Sequence, residues 1–368
     1  MKARVLITGG AGFIGCHVAR ALLHRGYDIR ILDSLIDQVH AGRPAIDPVL
    51  REVEVKEGDV RDATTVAVAL QDVDHVIHLA AEVGVGQSMY AIDRYVSVND
   101  HGTAVLLQAL TRRPVRRLVV ASSMSIYGEG LYRTEGGDTV ADAERPAGGK
   151  RWNPVDAQGR ELTPMPTPEW KAPKLASVYA LTKFVQEQLT MTVGRTYGME
   201  SVALRLFNVF GPGQALSNPY TGVLAIFASR LLNGQNPAIF EDGRQRRDFV
   251  HVEDVAQAFA LALEHPDAPG ETFNIGSGID VTVEEVATKL AAAMGRPDLT
   301  PDILGKARTG DIRHCFADIG KARDRLGFAP RRTLEDSLPE LVGWVEKQQA
   351  VDRVAEARQE LEARGLVA

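Results

Sequence analysis

The chain has 368 residues, 45% of them hydrophobic and 24% charged, which is the make-up of a folded globular protein of one large or two ordinary domains and excludes a disordered or fibrous chain. Lys and Arg number 42 against 48 Asp and Glu, a net charge of −6, so no overall field draws the protein to nucleic acid or to an anionic membrane surface. No apolar run approaches the ~20 residues that a membrane span requires.

In chain order, MKARVLITGG enters a strand and a glycine turn at once, and no signal peptide is expected there. Short apolar runs then alternate with helical patterns. They are Val5 to Ile7, a helix from Phe13 to about Arg25, Ile29 to Leu32, Val53 to Val55, a helix near Asp62 to Leu70, Val76 to Leu79, a helix near Val98 to Leu110, and Arg117 to Val120. Strands this apolar face helices on both sides, so the βαβα order predicts an α/β fold with a doubly wound parallel sheet, the Rossmann arrangement. The regularity stops between about Glu129 and Ala176, where Gly, Pro and charged residues cluster; so long a stretch is either a functional lid or an insertion. Helical periodicity returns from Ser177 to Tyr197, and the run Val202 to Leu206 reads as a strand. The expected division is a dinucleotide-binding domain over residues 1–210 and a smaller mixed substrate domain over 211–368, interleaved with the first and ending in a charge-rich helical tail from Leu334 to Arg364. Basic clusters at Arg112, Arg113, Arg116 and Arg117, and at Arg244, Arg246 and Arg247, read as solvated loops. Cys16 and Cys315 are the only cysteines; their spacing offers neither a disulfide framework nor a zinc site, so no metal is expected and a reduced, cytoplasmic setting is.

Thr8-Gly9-Gly10-Ala11-Gly12-Phe13-Ile14-Gly15 follows the first strand and opens the first helix. Gly9 permits the tight turn, Gly12 lets backbone approach a pyrophosphate, Gly15 allows close helix packing, and the helix N-terminus offers N–H donors to phosphate. Asp33 ends the second strand 18 positions after Gly15, where a carboxylate accepts hydrogen bonds from an adenosine ribose. Ser34 and Leu35 follow it rather than Arg, so a 2′-phosphate would meet uncompensated negative charge, and NAD is expected over NADP. Asp59 and Val60 end the third strand, where adenine could be read, although Asp59 could equally cap the helix that follows. Leu79, Ala80 and Ala81 end the fourth strand beneath the cofactor.

Tyr179 and Lys183 stand four residues apart at the start of a predicted helix, hence on one face. YxxxK arises often by chance, but Ser123 ends the strand that begins at Arg117, at the carboxyl edge of the sheet where doubly wound folds bind ligands. A tyrosine with a pKa near ~10 is a poor base, and a Lys ammonium and a cationic nicotinamide beside it both favour the phenolate. Tyr179 could then exchange a proton with a substrate hydroxyl while hydride moves to the cofactor.

With TGGAGFIG, HLAA, SSMSIYG, YALTK, RLFNVFGPGQ and RDFVHVEDV in that order, the chain resembles the extended short-chain dehydrogenase/reductases, and among them the NAD-dependent sugar-nucleotide epimerases and dehydratases, from about Lys2 to Pro330. The resemblance implies that Tyr179 is the acid/base, that Lys183 holds the ribose and tunes Tyr179, and that Ser123, with Ser125 beside it, hydrogen-bonds the reacting oxygen. It makes Asn99 a cofactor-side residue, Asn208 a substrate-diphosphate contact, Arg247 and Arg308 diphosphate clamps, and Asp311 a neighbour of the nucleoside ribose; a surface ion pair is the plainer reading of Arg308. In the family's 4,6-dehydratases Asp and Glu follow the serine or threonine, where this chain has Met124 and Ser125. That difference implies a 4-epimerase, with a lyase or decarboxylase as the other enzymatic reading and a non-catalytic NAD-binding protein as the third. Val83 stands where UDP-galactose epimerases have lysine, and Pro164 to Glu169 resembles a PxPTxE pattern of dTDP-L-rhamnose 4-epimerase-like proteins. The expected substrate is therefore a dTDP-6-deoxyhexose such as dTDP-L-rhamnose, with a UDP-hexose or UDP-uronate second. Family members pair through helices like those near Val98 to Leu110 and Ser177 to Tyr197, so a homodimer is expected, although these apolar faces could pack internally.

Overall fold

The computed structural model describes residues 2–40, 47–146, 151–220, 222–348 and 351–367. Val5 and Ile7 of the first strand, β1 (Arg4–Thr8), pack into one apolar layer and Leu6 into another, all three fully buried. Such a strand has no solvent face, and helices cover both sides. β2 (Asp28–Asp33), β3 (Glu54–Glu57), β4 (His75–His78) and β5 (Arg117–Ser123) follow. Among the described residues seven parallel strands form the main sheet, in the order Thr272–Ile275, Glu200–Leu206, β5, β4, β1, β2, β3. The seventh strand comes from beyond residue 211, so both halves of the chain share one sheet. Because β1 lies between β2 and β4, the winding reverses there, and the crevice opens at the carboxyl ends of β1 and β4. The helix α1 (Phe13–His24) packs with Val252–Glu264 on one face, and Ala63–Ala69, Gly102–Arg112 and Val178–Thr196 cover the other.

Several local details differ from the sequence reading. The helix expected near Val98 is preceded by a short one at Ile92–Tyr95 and contains a π turn over Val96–His101, centred on Asn99. Arg117 opens β5 as the apolar run predicted, but it is 3% exposed and not solvated as its basic cluster suggested. Its guanidinium pairs with Glu200 at 2.7 Å and donates to the carbonyls of Ala262 and His265, the unsatisfied end of the Val252–Glu264 helix. The irregular stretch from Glu129 has its own structure: Leu131–Arg133 is the central strand of a small antiparallel sheet with Thr139–Val140 and Thr163–Met165. The tail forms two helices rather than one, Leu334–Val345 and Val354–Ala363. Asp352 restarts the helix by accepting the Val354 N–H at 2.9 Å.

Beyond residue 207, Arg246–His251 is the hub. It pairs with Asn208–Phe210 and His314–Cys315 in parallel and with Asp280–Thr282 antiparallel. The helices Val223–Leu232, Val283–Ala293 and Leu334–Val345 bury a second apolar cluster beside it.

Candidate active site

The turn after β1 is shaped by main chain. Gly9 has φ +69, and a Cβ there would stand 2.8 Å from the Ala80 nitrogen; one at Gly15 would stand 2.5 Å from the Gly10 Cα. Only glycine fits these approaches. Gly12 is the N-cap of α1 and supplies no side-chain hydrogen bond, so the first N–H groups of a twelve-residue helix are available to an anion. Asp33 accepts the Ala11 N–H at 3.0 Å and the Leu35 N–H at 2.9 Å, and His40 Nε2 lies 3.5 Å from its carboxylate. Burial works against its charge, but the His40 and backbone hydrogen bonds win and hold the carboxyl below its usual range. A cavity of about 350 Å³ runs from this turn to the end of β5, lined by Gly9, Gly12, Phe13, Ile14, Gly15, Asp33, Ser34, Asp59, Val60, Leu79, Ala80, Ala81, Ser123, Tyr179 and Lys183. A glycine cradle, open helix N–H groups and a carboxylate at the end of β2 suit the pyrophosphate and ribose of a dinucleotide. Asp59 lines the cavity but does not cap the next helix; it pairs with Arg61 at 2.5 Å, which lowers its pKa, while Asp62 accepts the Thr64 N–H.

At the far end of the cavity, Ser177 caps the Val178–Thr196 helix by accepting the Ala180 N–H at 3.1 Å, and Ser88 Oγ accepts the Tyr179 N–H at 3.0 Å. Two short polar side chains thus fix the first turn that carries Tyr179. Ser123 Oγ accepts from the Ser125 N–H at 3.1 Å and from the Ser125 hydroxyl at 2.9 Å, leaving its own proton for the Tyr179 oxygen. Burial raises the Tyr179 phenol above its ordinary value, and the Ser123 hydrogen bond opposes that rise. Lys183 Nζ donates to Gln186 Oε1 at 2.6 Å. Burial brings its ammonium down to about 7, with Glu187 pulling the other way, so amine and ammonium are both accessible near neutral pH. Gln186 Nε2 donates to Thr103 Oγ1 at 2.8 Å and to the Ala80 carbonyl at 3.3 Å, with His78 Nε2 3.2 Å away. The amide oxygen is thereby turned toward Lys183.

The expected substrate contacts lie elsewhere. Arg247 donates to the carbonyls of Arg246 and Arg313, each at 2.9 Å, and to that of Ile312, and burial lowers its pKa. Arg308 Nε donates to Asp311 Oδ2 at 2.9 Å with its guanidinium 4.6 Å from the centre of the Phe240 ring; it therefore makes an ion pair, but with another residue of the expected set. Among the described residues Asn208 Oδ1 is buried without a hydrogen-bond partner. Asn99 is fully buried outside the cavity, accepting the Glu82 N–H at 2.7 Å and donating to the Glu82 carbonyl and to Thr182 Oγ1, so it braces the wall instead of facing the cavity. The structure gathers the cofactor and reactive residues around one cavity and sets Arg247, Arg308 and Asp311 in a second cluster beside His314–Cys315.

Sequence reasoning missed several contributors. His40 reaches Asp33 from a turn with no spacing signature. His78 is the first residue of HLAA, buried between Thr8 Oγ1 at 2.7 Å and Thr103 Oγ1 at 2.9 Å and pushed down to about 3 by burial. Gln186 follows Lys183 at one helical turn, a signal that was present. Glu82, a wall residue, is tied to Arg94 at 2.7 Å.

Comparison with known proteins adds an independent result. The model of the NAD dependent epimerase/dehydratase family matches residues 5–276. The chain is similar to the dTDP-L-rhamnose 4-epimerase of Burkholderia thailandensis, with 34% identity over 94% of this chain and 95% of that one. Among solved structures, the UDP-glucose 4-epimerase of Thermus thermophilus, in complex with NAD, has 31% identity, covers 94% of this chain and 99% of its own, and superposes with a TM-score of 0.75. DesIV, a dTDP-glucose 4,6-dehydratase from Streptomyces venezuelae with NAD bound, gives the same TM-score at 28% identity, over 93% of this chain and 96% of its own.

Proposed function

The chain belongs to the NAD dependent epimerase/dehydratase family, its cofactor is NAD, and from that premise we propose that it is a nucleotide-sugar 4-epimerase acting on a dTDP-6-deoxyhexose such as dTDP-L-rhamnose. Likeness of fold does not choose between epimerase and dehydratase, since both superpose equally well. The observation that carries the choice is the turn after β5. Where a dehydratase of the family has Asp and Glu, Met124 is buried apolar packing and Ser125 is spent on Ser123. Glu82, the cavity-lining carboxylate nearest in sequence to Val83, is occupied by Arg94.

NAD, when bound, supplies a hydride acceptor that can also return the hydride. Tyr179 takes the proton of the carbon-4 hydroxyl and gives it back, and Ser123, supported by Ser125, donates to the reacting oxygen. Lys183 holds the ribose and, as ammonium, favours the Tyr179 phenolate that accepts the proton. Without an acid and base to eliminate water, the 4-keto sugar is reduced again from its other face. Val83, 42% exposed on the cavity wall, offers an apolar contact that suits a methyl at carbon 6 and supports the deoxyhexose over a UDP-hexose. Arg247, Arg308, Asp311 and Asn208 hold the nucleoside diphosphate. Exposed Ile92, Val96 and Leu181, on helices that pack together, support a homodimer. Cys16 and Cys315 are both buried, far from each other in sequence, which suits a reduced, cytoplasmic setting; among the described residues no helix is long and apolar enough to cross a membrane.

Product analysis tests the reading. dTDP-L-rhamnose should give a product of equal mass, inverted at carbon 4, with no solvent deuterium at carbon 5 when the reaction is run in deuterated water. Deuterium at carbon 5, or a product lighter by water or carbon dioxide, would replace epimerisation with elimination or decarboxylation.

A further inference from the structure

The stretch that interrupts the sheet after Glu129 is wired to the turn that carries Arg308 and Asp311. Arg145, from the interrupting stretch, uses all sides of its guanidinium. Nε donates to Glu129 Oε1 at 2.8 Å, Nη1 to the Glu241 carboxylate, and Nη2 to the backbone carbonyl of Asp311. Glu129 continues along the same backbone, accepting the Arg313 N–H at 2.9 Å and the His314 N–H at 3.3 Å. Gly130 N–H donates to the His314 carbonyl at 2.7 Å. From the other side Arg247 holds the carbonyls of Ile312 and Arg313. Every residue from 311 to 314 is therefore bound through its main chain, by the interrupting stretch or by Arg247.

Glu241 makes this wiring more than incidental packing. It is wholly buried, and its φ is +57, a left-handed conformation that strains a non-glycine residue. A buried carboxylate adds a desolvation cost that only close pairing offsets. Arg145 and Arg313, the latter at 2.9 Å, provide that pairing. Glycine at this position would carry neither cost, but would leave both guanidiniums without their shared partner.

We infer that Arg145 is a positioning residue for nucleotide binding: through Glu129, Glu241 and the Asp311 carbonyl it sets the Arg308–Asp311 turn and Arg247 at the spacing that grips a diphosphate. The inference rests on the nucleotide-sugar reading above. Arg145 does not itself contact the anion, because its charge is already neutralised by the Glu129 and Glu241 carboxylates, whereas among the described residues Arg247 donates only to backbone carbonyls and keeps its net charge for a diphosphate. The interrupting stretch is on this view a buttress of the substrate site, not a cover over it.

Calorimetric titration of dTDP and of UDP into NAD-loaded protein tests this, with NAD content and melting temperature measured alongside. Arg145→Met should weaken the bound nucleotide by about tenfold or more, the scale of a lost interface anchor, at unchanged NAD content. Arg145→Lys keeps a cation against Glu241 but loses the fork that reaches the Asp311 carbonyl; it should fall between, and it carries the test if the methionine variant does not fold. In an Arg308→Met background, the further loss from either Arg145 substitution should shrink to under about threefold, because the two act through one turn. A merely structural Arg145 would lower melting temperature and leave nucleotide affinity in place. Wild-type affinity in a folded Arg145 variant, or a fully additive loss in the Arg308→Met background, overturns the inference alone. Wild-type protein that binds neither nucleotide removes the nucleotide-sugar reading and the inference with it.

Discussion

The two ends of the site are made of different materials. At the cofactor end the deciding atoms are main chain: the turn at Gly9, the open N–H groups of α1, and the approach of Gly15 to Gly10. At the substrate end they are charged side chains brought together across the sequence: Arg145 to Glu241 over 96 residues, Glu129 to Arg313 over 184. A backbone cradle follows from local spacing and admits little variation. A network of guanidiniums and carboxylates can be rearranged by single substitutions, so it is the place where members of one fold can differ in what they bind.

Substitutions at the two ends should therefore fail differently. The largest effect belongs to Tyr179→Phe, which keeps the cavity but removes the proton carrier; its rate should drop by the ~10²–10⁴-fold typical of general acid/base catalysis. NAD content and dTDP affinity should stay near wild type. Activity within about threefold of wild type would take Tyr179 out of the chemistry. Next comes Gly9→Ala, which forces a Cβ onto φ +69 and within 2.8 Å of the Ala80 nitrogen, a strain of about 1–3 kcal/mol. Purified protein should have lost most of its NAD and melt lower, since cradle and sheet edge are one structure. Full NAD content at an unchanged melting temperature would show that the turn yields more than a main-chain cradle should. Arg308→Met, at the other end, should weaken dTDP about tenfold and leave both NAD content and melting temperature alone. Loss of NAD in that variant would erase the distinction between the ends.

The same division decides how much could be read from the sequence. TGGAGFIG, Asp33 and the alternating apolar runs lead to the parallel sheet and to NAD because each signal is local, set by a turn, a helix start or a strand period. Ser123, Tyr179 and Lys183 were placed on their elements by the same means, and the fold brings them to one cavity. The π turn at Asn99 left no mark, because helical periodicity is hardly disturbed by one extra residue in a turn. Asp59 and Asp62 are both plausible caps by composition, and only the backbone geometry selects Asp62. Arg117 read as surface charge, and Arg145 was not singled out at all, because their partners, the end of a distant helix and the Glu241 carboxylate, are fixed by tertiary packing. The wiring of the interrupting stretch was invisible for that reason: pairing over a hundred residues has no period.

The smallest effect separates the ends through protons. His78 at the cofactor end and His314 at the substrate end are both buried and both brought down to about 3. For His78 the cause is burial, with Lys183 adding to it; for His314 burial acts together with Arg313, Arg247, Arg246 and Arg145. A histidine held neutral in the fold but free to protonate near 6.5 when unfolded gives stability that is complete above pH 6.5 and is lost as pH falls toward 3. From pH 6.5 to 5 each such group costs about 2 kcal/mol, at ~1.4 kcal/mol per unit. His314→Gln removes one of them. It also removes the acceptor of the Arg246 N–H at 3.1 Å, so at pH 7.5 the variant should be less stable by about 1 kcal/mol. By pH 5 that deficit should have closed or reversed, because the wild type alone takes up the extra proton on unfolding. Urea denaturation of both proteins at pH 7.5 and 5 reads the difference directly. A deficit that stays constant between the two pH values would mean that His314 takes up its proton alike in the folded and unfolded states, and that the carboxylates of Glu129 and Glu241 offset burial and the surrounding guanidiniums at the substrate end.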